Sequence, residues 1–135
     1  MSLFNDILAQ SQDDDAYLKE EWEDLAYSLE SLFDDYNIDL YDIIDTPVNT
    51  RYDLISKGLG ATRIENGKPH VYFSPIITDE EQTDGRTACG AIVHEMIHVA
   101  AWYIDNKLSH EDTWLKMAND KRLAKLNIKE FCKDI

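Results

Sequence analysis

Apolar residues recur at alternating spacings of four and three between positions 18 and 36: Leu18, Trp22, Leu25, Leu29, Leu32 and Tyr36. That is the period of an α-helix with one buried face, and Ala26 and Phe33 widen the stripe. The pattern predicts a helix over 13–36. Asp13, Asp14 and Asp15 stand at its predicted start, where carboxylates favour the helix dipole and can cap free N–H groups. Glu20, Glu21, Glu23, Asp24, Glu30 and Asp34 form the opposite face, which reads as solvated. Residues 37–50 show no period. Ile38, Leu40, Ile43 and Ile44 are apolar anchors in an irregular stretch closed by Thr46-Pro47.

The middle of the chain turns strand-like. Asn66-Gly67 supplies the positive-φ positions of a tight turn, so strands are predicted over 59–65 and 69–74, ended by Pro75. A second helix is expected from Thr83 or Asp84 to about Asp105. It is almost wholly apolar from Ala88 to Ile104, the mark of a helix buried on all sides. A third is expected from Ser109 to about Leu126, with Ser109 and Asp112 spaced as a capping box. Helix, small antiparallel sheet, helix, helix is an α+β order. At 135 residues the chain is expected to form one domain over 1–135, an acidic helical segment 1–45 followed by the sheet and later helices of 46–135.

Charge adds an asymmetry. The chain has 27 Asp and Glu against 13 Lys and Arg, a formal −14. Residues 1–45 hold 14 acidic residues and only Lys19 on the basic side, whereas the remaining 90 residues sum to −1. Such a chain gains little from neutralising phosphates, which disfavours general nucleic-acid binding and adhesion to anionic membranes. The mildly basic tail (Lys116, Lys121, Arg122, Lys125, Lys129, Lys133) is expected to balance the acidic front. A hydrophobic share of 44% argues against disorder. Cys89 and Cys132 make no disulfide framework, and MSLFNDILAQ lacks the basic region of a signal peptide. No apolar run reaches the roughly 18 residues of a membrane span. A cytoplasmic location is the expectation.

The chemistry sits in the second helix. His94-Glu95-Met96-Ile97-His98 places two imidazoles one turn apart on one face, where both can meet a single ion, with Glu95 beside them. Burying these groups in an apolar helix is costly unless they have partners, and a divalent cation is such a partner. A catalytic zinc needs a third protein ligand. Ala101 and Ile104 stand where a metzincin needs Gly and His, so that class is excluded. His110, 12 residues after His98, follows enough chain for the helix to end and a loop to return; His70 in the hairpin is the poorer candidate. Glu111 or Asp112 would instead supply a carboxylate ligand. Cys89 lies about 140° round the helix from His94 and reads as a core thiol.

LGAT at 59–62, HVYFSP at 70–75, VHEMIHVAAW at 93–102 and HEDTWLKMA at 110–118 together resemble the SprT-like family of zinc metallopeptidases, over roughly residues 15–125. The resemblance implies a zincin-like fold with the third ligand carried by the helix after the HExxH helix. It implies His94, His98 and His110 as ligands of Zn2+, Glu95 as the catalytic carboxylate and Trp114 as the family's aromatic after the third ligand. Glu111 stands where the family usually has glycine. No cysteine-rich zinc ribbon and no basic DNA-binding appendage is evident, so DNA association, expected by family analogy, is disfavoured by the charge. The expected function is hydrolysis of peptide bonds in protein substrates by a zinc-activated water, with Glu95 as general base. An extended substrate added to an edge strand at 69–74 would make His70 and Tyr72 its contacts. The rival reading is a zincin-like binding module without catalysis, docking a basic protein on its acidic face.

Overall fold

The computed structural model describes residues 3–44, 46, 48–50 and 58–124, with backbone alone for 3–15, 49 and 50. Pro47, the expected helix end near Leu126, Cys132, Lys125, Lys129 and Lys133 fall outside those residues.

The first apolar stripe forms two helices rather than one, α1 (Leu3–Ser28) and α2 (Glu30–Asp34). Leu29 leaves helical geometry at φ −106°, ψ 12°, yet its N–H still bonds the Leu25 carbonyl at 2.9 Å. The stripe therefore crosses a kink without losing register. Leu18, Trp22, Ala26, Leu32 and Phe33 are almost fully buried, while Leu25 and Tyr36 pack on the core from its margin. Because α1 begins at Leu3, Asp13–Asp15 lie within it, and their expected capping role does not hold. After α2, Asn37 adopts a left-handed φ of 59° and turns the chain.

The predicted hairpin is present as β2 (Gly60–Glu65) and β3 (Lys68–Phe73), with Asn66 and Gly67 both at positive φ. A further strand, β1 (Val48–Thr50), forms within the stretch expected to be irregular. It pairs parallel to β3, so the sheet is mixed, in order β1-β3-β2. The expected purely antiparallel sheet is corrected in this respect, and β3 becomes the middle strand of the three. Cross-strand partners share a face of the sheet. Gly60 with Phe73, and Thr62 with Val71, point towards the helix that follows. Arg63 with His70, and Ala61 with Tyr72, point the other way.

That helix, α3 (Gly85–Asp105), starts where the sequence placed it. Asp84 caps it by accepting from the Thr87 N–H at 2.7 Å, which also holds its carboxyl below the usual range. Asn106, at φ 57°, closes the other end in a left-handed turn. Residues Gly90–Ala101 are buried without a break, enclosed by α1, β2, β3 and α4. Cys89 sits at the edge of this stretch, half-buried rather than in the core. No described helix is long and apolar enough to cross a membrane.

The third helix is shorter than expected. α4 spans Thr113–Ala118, followed by a 3₁₀ turn at Lys121–Leu123. The capping box at Ser109 and Asp112 does not form: Asp112 is itself the N-cap residue, at φ 53°, and its side chain caps nothing. Arg122 accounts for part of the basic tail. It bonds Asp120 at 2.8 Å, Asp35 at 2.7 Å and Ser31 at 3.1 Å, tying the 3₁₀ turn to the end of α2.

Candidate metal centre

His94 and His98 lie one turn apart on α3, 0% and 3% exposed. His110 approaches from the loop between α3 and α4, not from a helix, which corrects the expected placement of the third ligand. The His110 Nε2 stands 3.0 Å from His98 Nε2 and 3.2 Å from His94 Nε2. A tetrahedral zinc with bonds of about 2.0–2.1 Å spaces its nitrogens about 3.3 Å apart, so this convergence is close to what such an ion requires.

The donor chemistry fits as well. Burial first, then the neighbouring rings of His94 and His110, pushes His98 down to about 2, so it stays neutral at ordinary pH. Burial lowers His110 too. Three imidazole Nε2 atoms that meet at one point are a donor set that a single cation can bridge. Among the described residues, these three histidines form the only cluster of side chains able to hold a metal ion.

Trp114 backs the cluster. It is buried in the first turn of α4 and its indole N–H points at the His94 carbonyl, 3.4 Å away. Its ring meets His94 edge-on at 4.9 Å and His110 edge-on at 4.7 Å, and lies tilted against His98 at 5.4 Å. One side chain thus touches all three imidazoles and limits their rotation.

Glu95 is 1% exposed. Burial pushes its carboxyl up to about 8, partly offset by a hydrogen bond from Thr62, whose Oγ1 donates to Oε1 at 2.8 Å. A divalent charge nearby would shift the balance back towards the carboxylate. Thr62 closes the LGAT stretch at 59–62, and the resemblance implies no role for it. Its signal was a polar residue at a core-facing position of a strand, between Gly60 and Ile64.

Other sequence candidates lie elsewhere. His70 and Tyr72 are on the sheet face turned away from Thr62 and Glu95. Tyr72 donates its hydroxyl to Glu65 at 2.7 Å, and His70 Nδ1 stands 3.5 Å from the same carboxylate. The structure does not bring either to the histidine cluster. Asp112 pairs with Lys107 at 2.9 Å, and neither it nor Glu111 joins the cluster.

An α+β domain with HExxH on a buried helix and a third histidine returning from the next loop defines a candidate metal-binding protein of the HExxH class. Its family follows from comparison: the SprT-like family model matches residues 29–130, from the kink at Leu29 through α4 and beyond, and the chain belongs to that family. No curated protein and no solved structure matches it.

Proposed function

We propose that the chain is a zinc-dependent metallopeptidase of zincin-like architecture that hydrolyses peptide bonds in protein substrates. The observation that carries this reading is a buried glutamate set between two of three convergent histidines. A purely structural metal site has no use for that carboxylate.

His94, His98 and His110 would hold the ion, each through Nε2, with Trp114 fixing the rings. Zinc so bound would supply Lewis acidity, activating water and polarising a peptide carbonyl. Glu95 acts as the general base, accepting a proton as water attacks the carbonyl carbon and passing it to the departing amine nitrogen. The bond formed is carbon to oxygen, the bond broken is carbon to nitrogen, and the proton taken by Glu95 ends on the new amino group. Burial of Glu95 and of the apolar helix around it keeps that proton from exchanging freely with solvent.

The test is cleavage of an unfolded protein, with and without a chelator, by wild type and by Glu95→Gln. Chelation should abolish cleavage and added zinc restore it. Glu95→Gln should keep its metal and lose about 10²–10⁴ in rate. Equal cleavage by the variant would overturn the role of Glu95. A metal-loaded chain that cleaves nothing would favour the binding-module reading, in which the exposed carboxylates of Glu20, Glu23, Asp24 and Glu30 dock a basic protein.

A further inference from the structure

β2 runs unusually close to the glutamate of α3. A Cβ added at Gly60 would stand 2.9 Å from Phe73 Cδ1 and 3.2 Å from Glu95 Cγ. Only a residue without a side chain lets the strand pass there, so the backbone of β2 at Gly60 lies against the stem of Glu95. Two residues on, and on the same face, Thr62 donates to Oε1 at 2.8 Å across 33 residues of sequence. The stem and one carboxylate oxygen are thus both held from the sheet.

We propose that Thr62 is a positioning residue for Glu95: its hydroxyl fixes the rotation of the carboxylate and reserves Oε2 for proton transfer. The inference rests on the reading of Glu95 as general base. The terminal torsion of a glutamate is broad and roughly two-fold, so packing around the stem does not choose between its two oxygens. A hydroxyl carries one proton. Given to Oε1, that proton makes Oε1 the poorer base and leaves Oε2 as the oxygen that takes and returns protons. Threonine suits the task because its β-branch restricts χ1, which keeps the hydroxyl aimed without help from a second partner. A bond that only satisfied a buried carboxylate would contribute to stability and leave turnover alone.

The full chain carrying T62V or T62S separates these cases. T62V should lower kcat by about 10- to 100-fold, the range usual for groups that orient a metal site, with KM within about twofold and zinc content unchanged. T62S should recover kcat to within a few-fold, because the hydroxyl returns. A drop in melting temperature for T62V with kcat unchanged would overturn the proposal, and so would a T62S variant no better than T62V. Should T62V fail to fold, T62A against T62S makes the same comparison. A second measurement does not depend on turnover: the infrared band of the Glu95 side chain, assigned by its loss in E95Q, in metal-free protein. It should shift in T62V and keep its wild-type position in T62S; an unmoved band in T62V would refute the hold of Thr62 on Glu95. Wild type that cleaves nothing defeats the peptidase reading alone, while the band still decides for or against Thr62.

Discussion

The two long helices, α1 of 26 residues and α3 of 21, solve opposite problems. Along its described side chains α1 keeps Leu18, Trp22 and Ala26 inside and Glu20, Glu23 and Asp24 in solvent, with Tyr17 and Tyr27 also exposed. α3 has no solvated face between Gly90 and Ala101, yet this is where two imidazoles and a carboxylate lie. The same residue types on α1 would be hydrated and unremarkable. On α3, burial drives His98 down and Glu95 up. Charge count and chemical consequence are therefore separated in this molecule. Most of the acidity belongs to residues 1–45, which contribute no residue to the histidine cluster.

Substitutions in the two regions test that contrast. The largest effect belongs to α3 and its loop partner. His110→Ala should abolish metal retention, with dialysed protein falling from about one zinc per chain to background by elemental analysis. Retained zinc would remove His110 from the site. Next comes the buried side of α1, where Trp22→Ala should cost about 3–5 kcal/mol in chemical denaturation. A cost under about 1 kcal/mol would mean that α1 lies outside the cooperative core.

Smaller effects are expected where acidic and basic regions meet. Arg122→Ala should cost about 0.2–1 kcal/mol at neutral pH, because its partners are partly exposed. Arg122 holds the Asp120 carboxyl down to about 2 from an ordinary 3.8. A depressed carboxylate contributes stability above its unfolded value and loses it as pH falls through the folded one. The gap between wild type and Arg122→Ala should therefore close between about pH 4 and pH 2, as read by denaturation at each pH. Smallest of all, Glu20→Gln with Glu23→Gln should shift stability by no more than about 0.5 kcal/mol. A larger change would show that the solvated face of α1 has a structural partner.

What could be read in advance follows the range of the interactions. The hairpin at Asn66-Gly67, the cap at Asp84 and the burial of α3 are local, set by turn chemistry and by an unbroken apolar run. The candidate ligands on α3 were legible because helical spacing alone aligns His94 with His98. β1 was not, because three residues carry no readable alternation and its pairing with Val71–Phe73 is non-local. The third helix was overestimated for a similar reason. Ser109 and Asp112 have the spacing of a cap, but Asp112 is turned to φ 53° in the loop that brings His110 back to α3. The link from Thr62 to Glu95 spans 33 residues, and its one local mark is a polar residue at a core-facing position of β2. Spacing favoured His110 and left Glu111 and Asp112 as alternatives, and the resemblance to the SprT-like family pointed to His110 as well.

The packing of Trp114 against all three imidazoles makes the centre optically addressable. An indole 4.7–5.4 Å from every ring of the cluster is within quenching range of whatever ion the histidines bind. Copper or cobalt loading should darken its emission, and removing either with a chelator and reloading with zinc should restore it. The part of the response that Trp114→Phe loses reports on the site, so its occupancy can be followed by fluorescence, without a label and without a substrate.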